Sequence, residues 1–389
     1  MDAVDKIVKL TRIGSAFSPG APIDRKTLFA GRLEQLRDAV TAVTQRGQHV
    51  VIYGERGVGK TSLVNIVLEV FGDQVNKPSC GPINCDGTMS FSDIWHKVFR
   101  EMSIADGKTL DSLAPKEITP DDVRHLLQNI SRTIIVLDEV DRIQQVEATT
   151  QLADTIKNLS DHSINTTIIL VGVADSVDSL IAEHISIERN IAQIRMPRMS
   201  HPELMEIIDK GSAMAGMDIE QSAKDRIASL SQGLPHYGHL LCLNAFQDAL
   251  ERDSEKVEMI DVRSAVTRAL KQAQQSVIST YQKAITSPRK DNLYAQALLA
   301  CAMAKTDLTG YFYAVDVRDP MSKIMGRTYE IPAFSQHLNA FCEDDRGPIL
   351  KRTGSKRKYR FRFVNPLMQP YVIMNGIQSG LIQENQIPG

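Results

Sequence analysis

The chain has 389 residues, with 45 Lys and Arg against 47 Asp and Glu for a formal net charge of -2, and apolar and charged fractions of 42% and 24%. That length exceeds what one hydrophobic core usually covers, so two or three domains are expected, and the ordinary composition excludes a largely disordered or low-complexity chain. The start, MDAVDKIVKLTRIGS, lacks the apolar core of a signal peptide and no apolar run is long enough to span a bilayer, so no membrane partner and a cytoplasmic location are expected. Five scattered cysteines, with no C-x-x-C pair among them, read as reduced thiols rather than as a disulfide or zinc framework.

In chain order, the first patterned segment is LFAGRLEQLRDAV, where Leu33, Leu36 and Val40 recur at helical spacing. HVVIYG (His49 to Gly54) then reads as a buried strand that runs into GERGVGKTS and an apolar helix. This is G-x-x-x-x-G-K-T in its required context. Gly54, Gly57 and Gly59 let the backbone N–H groups around Glu55, Arg56 and Val58 turn towards phosphate oxygens, and the following helix N-terminus at Ser62 adds partial positive charge. Lys60 is then expected on the β and γ phosphates of ATP or ADP, and the Thr61 hydroxyl on Mg²⁺. A second apolar strand, TIIVLDEVDRI, ends in acids. Asp138 stands where a carboxylate would hold Mg²⁺, and Glu139 where a general base would polarise the attacking water. A further strand follows in TTIILVGVADS.

These motifs resemble the AAA+ ATPases, particularly the origin-recognition and Cdc6-type initiators, and are also similar to STAND signalling and transposition-associated ATPases. The likeness runs from about Phe17 to Gly376. It implies an α/β P-loop αβα sandwich with a parallel sheet over residues 1–199, an all-α lid over 200–287, a winged helix over 288–376 and a polar tail over 377–389. It further implies adenine contacts from Phe29, Ala30 and Arg32. Asp175 stands where the family commonly has an Asn sensor, so it either orients water or caps the next helix. Arg189 is the implied arginine finger, with Arg195 and Arg198 as alternatives; otherwise it is a surface arginine paired with Glu183 or Glu188. In Gly233-Leu234-Pro235-His236 the family's sensor arginine is replaced by His236, while Pro235 fits the first position of a helix. His236 is either a phosphate sensor or a packed or solvated histidine.

After SPRKDN the expected elements are an apolar helix, a loop with Pro320, a helix near Pro332 to Cys342 exposing Ser335, Gln336, His337 and Asn339, and two short strands. Residues 288–376 hold fourteen basic against eight acidic residues. In KRTGSKRKYRFRF, Tyr359, Phe361 and Phe363 alternate with Lys358, Arg360 and Arg362, so one face packs and the other presents cations. Lys351, Arg352, Lys356, Arg357, Lys358, Arg360 and Arg362 therefore either meet the phosphates of duplex DNA or dock on the acidic remainder of the chain. Together the features imply an ATP-dependent, slowly hydrolysing switch that assembles into a homo- or hetero-oligomer on DNA. A STAND-like signalling or defence ATPase, or a DNA-bound adaptor recruiting a transposase, nuclease or other effector encoded nearby, is the alternative.

Overall fold

The computed structural model describes residues 2–75, 80–104, 107–173, 185–289, 292–307, 309–355 and 358–387. They cluster into two compact units: a sheet unit of residues 22–54 and 59–196, and a lid–wing unit of residues 1–21, 55–58 and 197–389.

The sheet unit holds five strands, β1 (His49–Gly54), β2 (Cys80–Asn84), β3 (Thr133–Asp138), β4 (Thr166–Gly172) and β5 (Ile191–Met196), in the order β2-β3-β4-β1-β5. All neighbours pair in parallel. Every residue of TIIVLD and TTIILVG is buried, as continuous apolar strands covered on both faces must be. Helix Phe91–Glu101 shows how a covering layer is specified. Ser90 and Asp93 close a capping box at its start, and Phe91, Ile94, Trp95, Val98 and Phe99 fall on one buried stripe. His49 is also buried, and its Nδ1 accepts the Ile168 N–H at 3.0 Å, tying β1 to β4; burial pushes its pKa down to about 4.

The lid–wing unit begins with helix Ala3–Ala16, expected with the sheet domain but packed instead on the lid. The reason is Phe17. Its ring fills the space above Gly211, where a Cβ would lie 2.1 Å away, and it packs on Phe246 at 4.9 Å and edge-on to His239 at 6.2 Å. The lid is helical as expected, with His201–Ala215, Gln221–Ser231, Pro235–Glu251, Met259–Gln272 and Gln275–Ile285, plus a two-residue parallel pair, β6 (Asp218–Ile219) and β7 (Lys256–Val257).

Helices Tyr294–Ala302, Ala314–Met325 and Ile331–Ala340 and strands β8 (Phe312–Tyr313), β9 (Leu350–Thr353) and β10 (Arg360–Phe363) follow. The antiparallel sheet has the order β8-β10-β9, the arrangement of a winged helix. Three expectations change here. The expected loop around Pro320 is helix Ala314–Met325: the Asp316 carboxylate accepts the Tyr313 N–H at 2.7 Å at its start, Val317 and Met321 are buried, and Gly326 ends it in the left-handed region. His337, expected exposed, is 7% exposed, because its ring meets Tyr294 edge-on at 4.8 Å. The expected polar tail packs through Ile382, which is buried, and Glu384, which pairs with Arg263 at 3.0 Å. Among the described residues no helix is long and apolar enough to cross a membrane.

Candidate nucleotide site

Strand β1 delivers the chain to its carboxyl end, where open parallel sheets present ligand sites. Gly54 allows close approach to β5, since a Cβ there would stand 2.3 Å from the Met196 carbonyl oxygen. Gly57 and Gly59 have φ of +85° and +95°, backbone that a side chain would strain and that turns successive N–H groups to one side. Helix Lys60–Val75 starts directly from this loop. Lys60 folds back on it, Nζ donating to the Gly54 carbonyl at 3.0 Å.

The loop and the acidic strand end meet at Thr61. Its Oγ1 donates to Asp138 Oδ2 at 2.9 Å, while Asp138 Oδ1 accepts the Glu139 N–H at 2.7 Å. Asp138 is 6% exposed, so a buried carboxylate and a hydroxyl converge beside the loop. Glu139 sits in the left-handed region at φ +56°, and its carboxylate pairs with Arg142 at 2.7 Å. Ser62 faces elsewhere: its hydroxyl accepts the Ile23 N–H at 3.0 Å, and Asn65 holds the Ile23 carbonyl, fastening residue 23 to the helix. Phe29, Ala30 and Arg32 are all buried, with Arg32 at φ +59° before helix Leu33–Thr44.

Asp141, which the sequence reading does not single out, accepts the Val173 N–H on Oδ1 at 3.1 Å and fixes the end of β4. The repeated acid in D-E-x-D was the available signal. Asp175 lies outside the described residues, as does Glu183. Arg189 is exposed, 3.7 Å from Asp161.

Pro235 and His236 belong to the lid–wing unit. Pro235 opens helix Pro235–Glu251, and His236 Nδ1 donates to the Pro19 carbonyl at 2.8 Å. Val58 is buried and Arg56 exposed. The Glu55 carboxylate pairs with Arg198 at 2.8 Å, so Arg198 is engaged within its own chain.

On the wing, Phe361 and Phe363 are buried and Lys358 exposed, as the alternation requires, and Lys351 and Arg352 are both exposed. Arg360 and Arg362 are partly covered, their guanidiniums 4.9 and 4.7 Å from the Tyr311 ring centre. Arg360 also lies 3.4 Å from Asp307, and Arg352 3.4 Å from Glu343. Lys356 and Arg357 lie outside the described residues.

Residues 43–181 match the family model of an AAA domain. No curated protein matches the chain. Among solved structures, it is similar to the Aeropyrum pernix ORC2 protein in ADPNP–ADP complexes, at 15% identity over 95% of this chain and 98% of that one, with a TM-score of 0.54. The Walker-type ATPase PABY2304 of Pyrococcus abyssi matches at 16% identity over 91% and 98%, TM-score 0.53. The Aeropyrum pernix ORC1 protein in complex with DNA matches at 13% identity over 94% and 97%, TM-score 0.50. With its phosphate-binding loop and buried Asp138, the segment 43–181 is similar to an AAA domain, and the chain shares the fold of the Aeropyrum pernix ORC2 protein.

Proposed function

We propose that the protein is a slow ATP-dependent switch that assembles with neighbouring subunits and engages duplex DNA through its wing. The observation that carries the nucleotide site is the Thr61–Asp138 hydrogen bond at 2.9 Å between the loop and the buried carboxylate. This all-oxygen pair fits a hydrated Mg²⁺, which when bound neutralises charge on the phosphate oxygens. Backbone N–H groups from Glu55 to Thr61 hold the phosphates, and Lys60 exchanges its Gly54 carbonyl partner for them. Glu139 takes a proton from the attacking water once it leaves Arg142, and that competing ion pair supports slow turnover. His236 in place of a sensor arginine supports the same reading.

For DNA, the support is the excess of fourteen basic over eight acidic residues in 288–376 and the exposure of Lys351, Arg352 and Lys358. The ORC1 protein that this fold resembles was solved with DNA. Arg189, exposed on the sheet unit, is the residue we assign to a neighbouring subunit's nucleotide. The second reading, a signalling ATPase or recruiting adaptor whose wing meets protein, is favoured by Arg360, already beside Asp307 of its own chain.

Lys60→Ala and Glu139→Gln test the site. Lys60→Ala is expected to abolish binding of a fluorescent ATP analogue. Glu139→Gln is expected to keep binding while lowering turnover by roughly 100-fold or more. Nucleotide affinity that survives Lys60→Ala contradicts the assignment.

A further inference from the structure

Residues 55–58 cluster with the lid and wing, whereas Gly54 and Gly59 on either side belong to the sheet unit. Arg198 accounts for this. Its Nε and one terminal nitrogen donate to Glu55 Oε2 at 3.0 and 2.8 Å, and the other donates to the Gln232 carbonyl at 3.2 Å and to Gln369 Oε1 at 2.6 Å. One planar guanidinium therefore joins the loop tip, the lid and the last helix of the wing, a task that the point charge of lysine would not perform.

The surroundings are shaped to the clamp. The other Glu55 oxygen lies against the wing backbone, where a Cβ on Gly310 would come within 2.1 Å of it. Gly57 faces Leu367, whose carbonyl accepts the Tyr237 hydroxyl at 2.7 Å. Gln369 is 4% exposed and donates to the Ala302 carbonyl at 2.7 Å, so its orientation is fixed. Gly233 has no side chain because a Cβ there would stand 2.7 Å from Arg198 Cβ. The first residue of the G-x-P sequence is thus explained by room for the clamp.

We propose that Arg198 is a positioning residue through which the winged-helix domain sets the conformation of the phosphate-binding loop. It neutralises a carboxylate that would otherwise face the phosphates, and it makes the affinity for nucleotide depend on a wing residue, Gln369, that has no part in binding it. By linkage, nucleotide in the loop alters how firmly the wing is held. This proposal rests on the nucleotide-binding reading above.

The test is a cycle of Glu55→Gln, Gln369→Leu and the double variant in the full chain, read by titration with fluorescent ADP and by amide hydrogen exchange without nucleotide. Gln369→Leu is expected to shift ADP affinity by about fivefold or more, with little further shift in the Glu55→Gln background. Glu55→Gln is expected to speed exchange in residues 366–378. ADP affinity unchanged by Gln369→Leu, or two additive effects, overturns the proposal. If the wild-type protein binds no nucleotide, the exchange readout still decides: faster exchange in Glu55→Gln keeps the clamp and removes the nucleotide reading, and unchanged exchange removes the clamp.

Discussion

Gly233 has φ +76°, and a Cβ there would also meet the Met199 carbonyl oxygen at 2.9 Å. Gly233→Ala is therefore expected to cost about 1–3 kcal/mol and lower Tm by several degrees in calorimetry; an unchanged Tm would contradict the geometry. His49 and His239 make a prediction of another kind. Burial lowers both from 6.5 to about 4. The unfolded chain then takes up protons before the folded one, so the stability these residues permit is complete above the unfolded pKa and declines as pH falls from about 6.5 to 4. Unfolding free energies from urea titration should drop between about pH 7 and pH 5 by an amount on the order of 1–2 kcal/mol per histidine, and replacing His239 by Phe should flatten the curve. The meeting of Thr61 with Asp138 follows from local spelling on a strand, loop and helix. The partners of Arg198 lie 143 and 171 positions away, and no periodicity reports such a contact.

Among the elements, the wing shows how far alternation carries. Phe361 and Phe363 pack as their period of two requires, yet Tyr311, from outside the hairpin, covers the Arg360 and Arg362 side chains. Strand β8 contributes only Phe312 and Tyr313, too short for alternation to reveal. Pro320 suggested a loop, but buried Val317 and Met321 hold a helix through it despite one lost hydrogen bond. Reversing Lys358, Arg360 and Arg362 to Glu should weaken DNA binding and flatten its dependence on salt by about one logarithmic unit per lost phosphate contact, leaving ATP turnover without DNA unchanged. An unaltered salt slope would assign these cations to protein instead.

At the scale of the whole molecule, the division into two units has a direct reporter. Trp95 is the chain's one tryptophan and is fully buried in the sheet unit. Its fluorescence should follow unfolding of that unit alone, while far-ultraviolet circular dichroism, dominated by the helices of lid and wing, follows both. Nucleotide is expected to move the fluorescence transition upward. The general order of sheet, lid and wing was readable from the motif sequence and the change in texture after residue 200. The attachment of residues 1–21 to the lid was not, because it depends on Phe17 finding Gly211 across the chain. The central claim is that nucleotide state governs DNA engagement. Equilibrium binding of a labelled duplex at fixed salt, with Mg²⁺ and either ATP or ADP and the Glu139→Gln variant to prevent turnover, tests it most directly. Affinity several-fold higher with ATP than with ADP is the predicted result; equal affinity with ATP, ADP and no nucleotide would contradict it.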